Sequence, residues 1–187
     1  NNKETRLASL NISENGVGPT GTKSVAGMLV VTASLTSCDL SSNNLAGETN
    51  LINPSEVHGS PTVGSKVIYQ GIEMVVSKVY YNGNVKLINL SGISAIADAL
   101  GVNTSLTSLD VRQNGIQGES ASQLAAAVLS KVNMAQFNGI PIKEMRADSF
   151  KKLDLPYKII GVVGGIVVAG LLPVAASLTS LNVSVNV

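Results

Sequence analysis

The chain has 187 residues, 44% of them hydrophobic, and a formal net charge of +1. This is enough material for one packed domain or a short array of repeats. The 13 Lys and Arg residues are scattered, so the charge pattern gives no electrostatic case for nucleic acid or an anionic membrane surface. A single cysteine cannot form an internal disulfide, which favours a reducing intracellular compartment such as the cytoplasm or a plastid.

Nearly identical phrases recur along the chain: SLTSCDLSSN, SLTSLDVRQN and SLTSLNVSVN. Each places aliphatic residues at a spacing of three and then two, with Asn three positions later. This pattern predicts a short strand whose inward side chains stack on the next copy, and an Asn that hydrogen-bonds the turning backbone. The predicted repeats begin at Leu7, Leu35, Leu106, Met134, Phe150 and Leu178, and Leu7 to Leu35 and Phe150 to Leu178 are both 28 residues.

A segment with the composition of β-strands interrupts the second repeat at 49–91. It is rich in Val, Ile and Tyr, and Gly71 and Asn82-Gly83 supply hairpin turns. Three antiparallel strands are predicted at about 66–69, 72–80 and 84–90. Tyr69, Tyr80 and Tyr81 make this insertion a candidate binding module; the alternative is a hairpin that caps or decorates the edge of the array.

Helical periodicity follows the predicted strands. Residues 119–129 place Ala121, Leu124, Ala125 and Val128 on one face, and residues 94–100 do the same with their neighbour Ile93. In that second segment the apolar face is predicted to consist of Ile93, Ile96, Ala97 and Leu100. The fourth repeat has only 16 residues, so it leaves room for little more than a turn or two of helix.

These repeats resemble the leucine-rich repeat family, specifically its ribonuclease-inhibitor-like class with 28-residue repeats. The resemblance covers most of the chain outside 49–91. It implies an α/β solenoid, or horseshoe, with parallel strands on the concave face, helices on the convex face, and a main use in binding proteins. The predicted organisation is repeats at 1–48, a β-hairpin or meander insertion at 49–91, and repeats at 92–187 continuing to an uncapped C-terminus.

One column of polar residues lies between the second and third aliphatic positions of the repeats. In a horseshoe this column would line the concave face and could receive a basic partner. The alternative is a solvated polar face, which is ordinary for the family. The candidate concave residues are the column residues Asn11, Asp39, Asp110, Asp154 and Asn182, together with the neighbouring Arg112.

The stretch at 159–178 contains 20 residues without a charge, which is long enough to cross a bilayer. The repeat spacing favours a repeat helix instead, because Leu178 follows Phe150 at the regular interval. Superposing the repeats then places apolar residues where Glu119 and Ser122 of the third repeat face water. Such an exposed patch marks a partner or a membrane surface. The predicted convex docking patch consists of Val162, Val163, Ile166, Val167 and Gly170.

Catalytic chemistry is not indicated. His58 has no partners at metal-binding spacing, and GVVGG at 161–165 lacks the spacing and the Lys of a phosphate-binding loop. Cys38 occupies an inward repeat position and is expected to be a buried small hydrophobe. We therefore expect no catalytic residues, no metal, no cofactor and no small-molecule substrate.

The sequence predicts a non-catalytic protein–protein interaction scaffold, or an accessory subunit of a large complex, that does not bind nucleic acid. The leading alternative is a membrane-associated or single-span subunit with residues 159–176 in or against the bilayer. A third possibility, a small-ligand or nucleic-acid binder working through the tyrosines of the insertion, lacks a basic patch.

Overall fold

A computed structural model describes residues 6–186 of the chain. The repeat strands are β1 (Ser9–Asn11), β2 (Ser37–Asp39), β7 (Ser108–Asp110), β8 (Gln136–Phe137), β9 (Ile140–Pro141), β10 (Lys152–Asp154) and β11 (Ser180–Asn182). The strands of the insertion are β3 (Val57–His58), β4 (Lys66–Tyr69), β5 (Ile72–Val79) and β6 (Val85–Ile88). The helices are α1 (Gly18–Val31), α2 (Ser91–Val102), α3 (Gly118–Ser130), α4 (Ile142–Arg146) and α5 (Gly161–Leu171).

The first four repeats contribute strands β1, β2, β7 and β8 to one sheet, in which they lie parallel and in that order. Leu10, Cys38, Leu109 and Phe137 are successive partners across these strands. The second aliphatic position of each repeat therefore stacks on the next, as the spacing predicts. Cys38 and Leu109 are buried, and Phe137 is fully buried in the position predicted for the fourth repeat.

The expectation of parallel strands through every repeat is wrong at the fourth repeat. There β9 pairs antiparallel with β8 and closes the sheet, and β10 and β11 form a separate parallel pair. The cause is a two-residue turn at Asn138 and Gly139, both with positive φ (51° and 78°). Asn-Gly favours this kind of hairpin turn, so the chain folds back on β8 instead of continuing into a long loop.

The helices pack against one another in chain order, α1 on α2, α2 on α3, and α3 on α5. The inward face predicted for α3 is confirmed, because Ala121, Leu124, Ala125 and Val128 are all buried. The face predicted for α2 is confirmed at three positions, while Ala97 is only partly buried. Together with the strands, these faces form one continuous aliphatic core.

The insertion forms its own antiparallel sheet in the order β3, β4, β5, β6. Its small core includes Val67, Val76 and Leu87 and is separate from the core of the repeats. The three predicted strands are present within two residues of their expected bounds. Strand β3 is missed by the pattern because it spans two residues, too few to show an alternation.

Residues 159–178 contain the short helix α5, which spans 11 residues. Within residues 6–186, no helix is both long enough and apolar enough to cross a bilayer. The repeat spacing therefore locates this apolar stretch correctly: it supplies the fifth repeat helix and then leads into β11.

Candidate functional site

The repeat asparagines form a ladder that joins each repeat to the one before it. Asn114 is buried; its Oδ1 accepts hydrogen bonds from the backbone N–H groups of Asn43 (2.8 Å) and Leu45 (3.1 Å). Its Nδ2 donates to the carbonyl of Leu40 at 2.9 Å. Asn43 makes the equivalent bonds to the first repeat. The amide of the repeat Asn thus holds the turning backbone, as predicted, and also fixes the distance between neighbouring repeats.

This ladder is interrupted between the third and fifth repeats. The fourth repeat turns back at Asn138-Gly139 and supplies no strand-to-helix loop, and Lys158 occupies the Asn position of the fifth repeat. A cavity of about 710 Å³ lies at this place, between residues 111–117 and residues 159–163. We call it the notch. It exists because one repeat is too short to fill the space that its neighbours leave.

Arg112 links the two walls of the notch. Its Nε and one terminal nitrogen hold the carboxylate of Asp110, and its other terminal nitrogen donates to the carbonyl of Lys158 at 3.1 Å. Hydrogen bonding to Asp110 raises the pKa of Arg112, so the guanidinium stays charged. A fork of donors that reaches two partners at once is a property of Arg that Lys does not share.

The rim of the notch, defined as Ile159 and Val162, is exposed and apolar. Val162 is 54% exposed and Ile159 is 37% exposed. Ile159 adopts a positive φ of 54°, a strained conformation for a β-branched residue. Gly16, Asn44 and Gly115 have the same positive φ at this position of the first three repeats, so the conformation belongs to the turn of the repeat. Arg112 beside the rim is of a residue type that is enriched in the energetic hot spots of protein interfaces.

A model of a family described as Leucine Rich repeat matches residues 102–125. The matched segment runs from the end of α2 through β7 into α3. The match supports a leucine-rich repeat protein. Leucine-rich repeat domains generally mediate protein–protein interaction, which fits a scaffold role. No curated protein matches the chain.

The predicted convex patch is wrong in two of its residues. Val163 and Val167 are buried in the core of the repeats, whereas Val162 is exposed and Ile166 is half-buried. Gly170 is exposed but lies against the side chain of Leu129. Only Val162 and Val163 of this set line the notch.

The physical reason is a slip of one residue in the helix. Helices α3 and α5 both begin at a glycine with positive φ, Gly118 and Gly161. Counted from these glycines, Val163 corresponds to the buried Ser120 and Val167 to the buried Leu124. Aligning the glycines, rather than the strands, would have found the correct face.

The residues of the predicted concave column are aligned in space, but most of their side-chain oxygens accept hydrogen bonds from the backbone two residues further along the chain. Asn11, Asp39 and Asp110 are partners across β1, β2 and β7. Asp39 accepts from the N–H of Ser41 at 2.9 Å, and the column residues of the first, third and sixth repeats make the same bond two residues on. These turns end each strand. Asp154 instead accepts from the side chain of Asn182 at 2.6 Å.

Of the candidate concave residues, only Arg112, which neighbours the column, lines the notch. The charge of Asp110 is balanced by Arg112, so this part of the column does not present a free acidic site. Partner binding along the column remains a prediction. The rim residue Ile159 was not predicted as a binding residue, because nothing in the repeat pattern marks it.

The tyrosines of the insertion do not form a common site. Tyr69 partly packs on the core of the insertion and pairs with Ile72 at the start of β5. Tyr80 and Tyr81 follow the other end of β5; Tyr80 lies under the ammonium of Lys78 at 4.9 Å, and Tyr81 is fully exposed. An aromatic pocket built from all three is therefore absent from the described part of the insertion.

Cys38 should be chemically silent in the folded protein. It is 1% exposed, and burial raises the pKa of its thiol to about 12, so almost no reactive thiolate is present at mildly alkaline pH. We expect a disulfide-exchange reagent to leave the native chain unmodified and to label it fully in concentrated guanidinium. Labelling is measured by absorbance. Rapid labelling of the native chain would show that this part of the sheet opens readily.

Proposed function

We propose that this chain is a non-catalytic subunit that binds a protein partner through the notch. In this proposal the repeats form a solenoid of the ribonuclease-inhibitor-like class, with residues 49–91 as an inserted module, and the chain works within a larger assembly. The observation that carries the proposal is the notch itself. It is a cavity of about 710 Å³ with an exposed apolar rim beside a fixed, charged Arg112.

The lining of the notch supports binding rather than acid–base chemistry. Its polar groups include Ser42, Asn44 and Gln117, which offer hydrogen bonds but do not titrate near neutral pH. The acidic side chain at its edge, Glu48, is engaged by Lys86 at 2.7 Å. A surface of hydrogen-bonding amides around apolar anchors is suited to a complementary protein surface.

Replacing Val162 with Glu should weaken partner binding by at least about 30-fold, the effect of losing a hot-spot residue. The reason is that a buried carboxylate without a partner group opposes docking at the rim. Tagged chains can be purified from cells that make the protein, and the co-purifying proteins quantified by mass spectrometry. Val162 is 54% exposed, so the fold should tolerate the change, which circular dichroism would verify.

Val102→Glu is the matched control, because Val102 is 62% exposed at the end of α2, away from the notch. We expect this variant to retain its partners. If Val162→Glu also retained every partner, the notch would not be the docking site.

A further inference from the structure

Backbone N–H groups of one repeat are normally satisfied by the next repeat. In the first repeat four such groups follow this rule, and in the second repeat the four equivalent groups do the same. The first-repeat bonds run from Ile12 to the Asp39 carbonyl, from Glu14 to the Ser41 carbonyl, and from Asn15 and Val17 to Asn43 Oδ1. The second-repeat bonds run from Leu40 to the Asp110 carbonyl, from Ser42 to the Arg112 carbonyl, and from Asn43 and Leu45 to Asn114 Oδ1.

The third repeat breaks this rule at the notch. Its equivalent donors are Val111, Gln113, Asn114 and Ile116. Val111 donates to Asn138 Oδ1 at 2.9 Å, so the fourth repeat satisfies the first donor. The backbone N–H groups of Gln113, Asn114 and Ile116 make no hydrogen bond within residues 6–186. All three residues line the notch, and Asn114 and Ile116 are buried.

Neighbouring donors of this kind point to a ligand. Buried backbone N–H groups in folded proteins nearly always have an acceptor, so those of the buried Asn114 and Ile116, beside the exposed Gln113 and a cavity, mark a place for oxygen atoms from outside the repeat. The two preceding repeats show which oxygens fit. A backbone carbonyl takes the second donor, and a single Asn side-chain oxygen takes the third and fourth together.

We propose that the notch binds a loop of the partner protein that presents an Asn or Asp side chain. Its side-chain oxygen bridges the N–H groups of Asn114 and Ile116, and a neighbouring backbone carbonyl accepts from Gln113. The partner loop thereby takes the place of the missing loop of the fourth repeat. This inference rests on the proposed function and specifies the chemistry that the partner brings to the notch.

A peptide copied from the third repeat of this chain, TSLDVRQNGIQG, is a suitable probe because it has the loop chemistry that the repeats accept from one another. Its control is the same peptide with Leu at the Asn position. Both can be titrated to millimolar concentration into the full chain labelled with ¹⁵N. We expect the amide protons of Gln113, Asn114 and Ile116 to shift downfield with the Asn peptide. The same shifts should require a concentration of the Leu peptide that is at least ten times higher.

Hydrogen exchange in the free chain supplies an independent check. The amides of Gln113, Asn114 and Ile116 should exchange at least ten times faster than those of Ser42, Asn43 and Leu45, which are already bonded. Equal protection of the two sets would contradict the premise that the donors are unpaired.

The outcomes separate this inference from the proposed function. If Val162→Glu removes the cellular partner but the Asn peptide leaves the three amides unmoved, docking at the notch stands and the acceptor assignment is wrong. If both peptides shift the amides equally, apolar contact alone drives binding and the assignment is again wrong. If the Asn peptide binds as expected while Val162→Glu keeps every partner, the three N–H groups do bind an acceptor oxygen but the proposed function is wrong.

Discussion

Replacing Asn114 with Leu should lower the free energy of unfolding by about 3 kcal/mol or more, because the amide serves two repeats at once. Leu has a similar size, so the change removes hydrogen bonds without opening a large cavity. The N–H groups of Asn43 and Leu45 would each lose their acceptor in a buried place, and the carbonyl of Leu40 would keep only the Asn43 side chain as a donor. A buried polar group left unpaired costs about 1–3 kcal/mol. Guanidinium denaturation followed by circular dichroism measures the loss.

Asn15→Leu is the matched control for this experiment. Asn15 occupies the same repeat position in the first repeat, but it is exposed, and within residues 6–186 its side chain donates only to the nearby carbonyl of Ser13. We expect this change to cost less than about 1 kcal/mol. Equal losses for the two variants would mean that the asparagine acts only within its own turn and does not join the repeats.

The features that recur along the chain could be predicted from the sequence. Stacked strands must place an apolar side chain at the same register position in every repeat, so the spacing of Leu10, Cys38 and Leu109 specifies both the strand and its register. The position of Phe137 follows from the same rule even though its repeat is short. Helix faces of α2 and α3 follow from periodicity in the same way.

The features that depend on one or two residues are not captured by the repeat pattern. Val163 was assigned to the wrong face because the fifth repeat reaches its helix one residue earlier than the third, and one residue rotates a helix by about 100°. The hairpin at Asn138-Gly139 did have a sequence signal, since Asn-Gly is the strongest short hairpin turn, but the repeat pattern outweighed it.

The notch itself has no motif, because it results from residues that are missing. Arg112 shows the consequence: sequence position places it beside the concave column, yet its guanidinium donates to the Lys158 carbonyl 46 residues later. That contact depends on how the fifth repeat packs behind a shortened fourth one. Local spacing holds no information about such a distance, so the candidate site emerges only from the folded chain.

Arg146 should be the second large determinant of stability, because it attaches the short helix α4 to α3. One terminal nitrogen donates to the carbonyls of Lys131 (2.9 Å) and Val132 (3.0 Å), and the other to those of Val128 (3.4 Å) and Leu129 (2.7 Å). These carbonyls belong to the end of α3, where a helix leaves its last acceptors unsatisfied and favours a cation. A five-residue helix is unstable by itself, so α4 depends on such contacts.

Arg146→Leu is therefore expected to lower the free energy of unfolding by about 3 kcal/mol, since hydrogen bonds to a charged group contribute about 1.5–3 kcal/mol and the carbonyls of Leu129, Lys131 and Val132 lose this donor. Lys143→Leu is the control, because Lys143 is exposed on the same helix and should change stability by less than about 0.5 kcal/mol. Arg146→Lys should fall between them, since one ammonium keeps the charge but cannot reach both pairs of carbonyls. Hydrogen exchange at the last turn of α3 locates the effect. Faster exchange there in Arg146→Leu alone would identify the guanidinium as the cap of α3. Unchanged exchange would mean that packing of Ile142 and Met145 holds α4 in place.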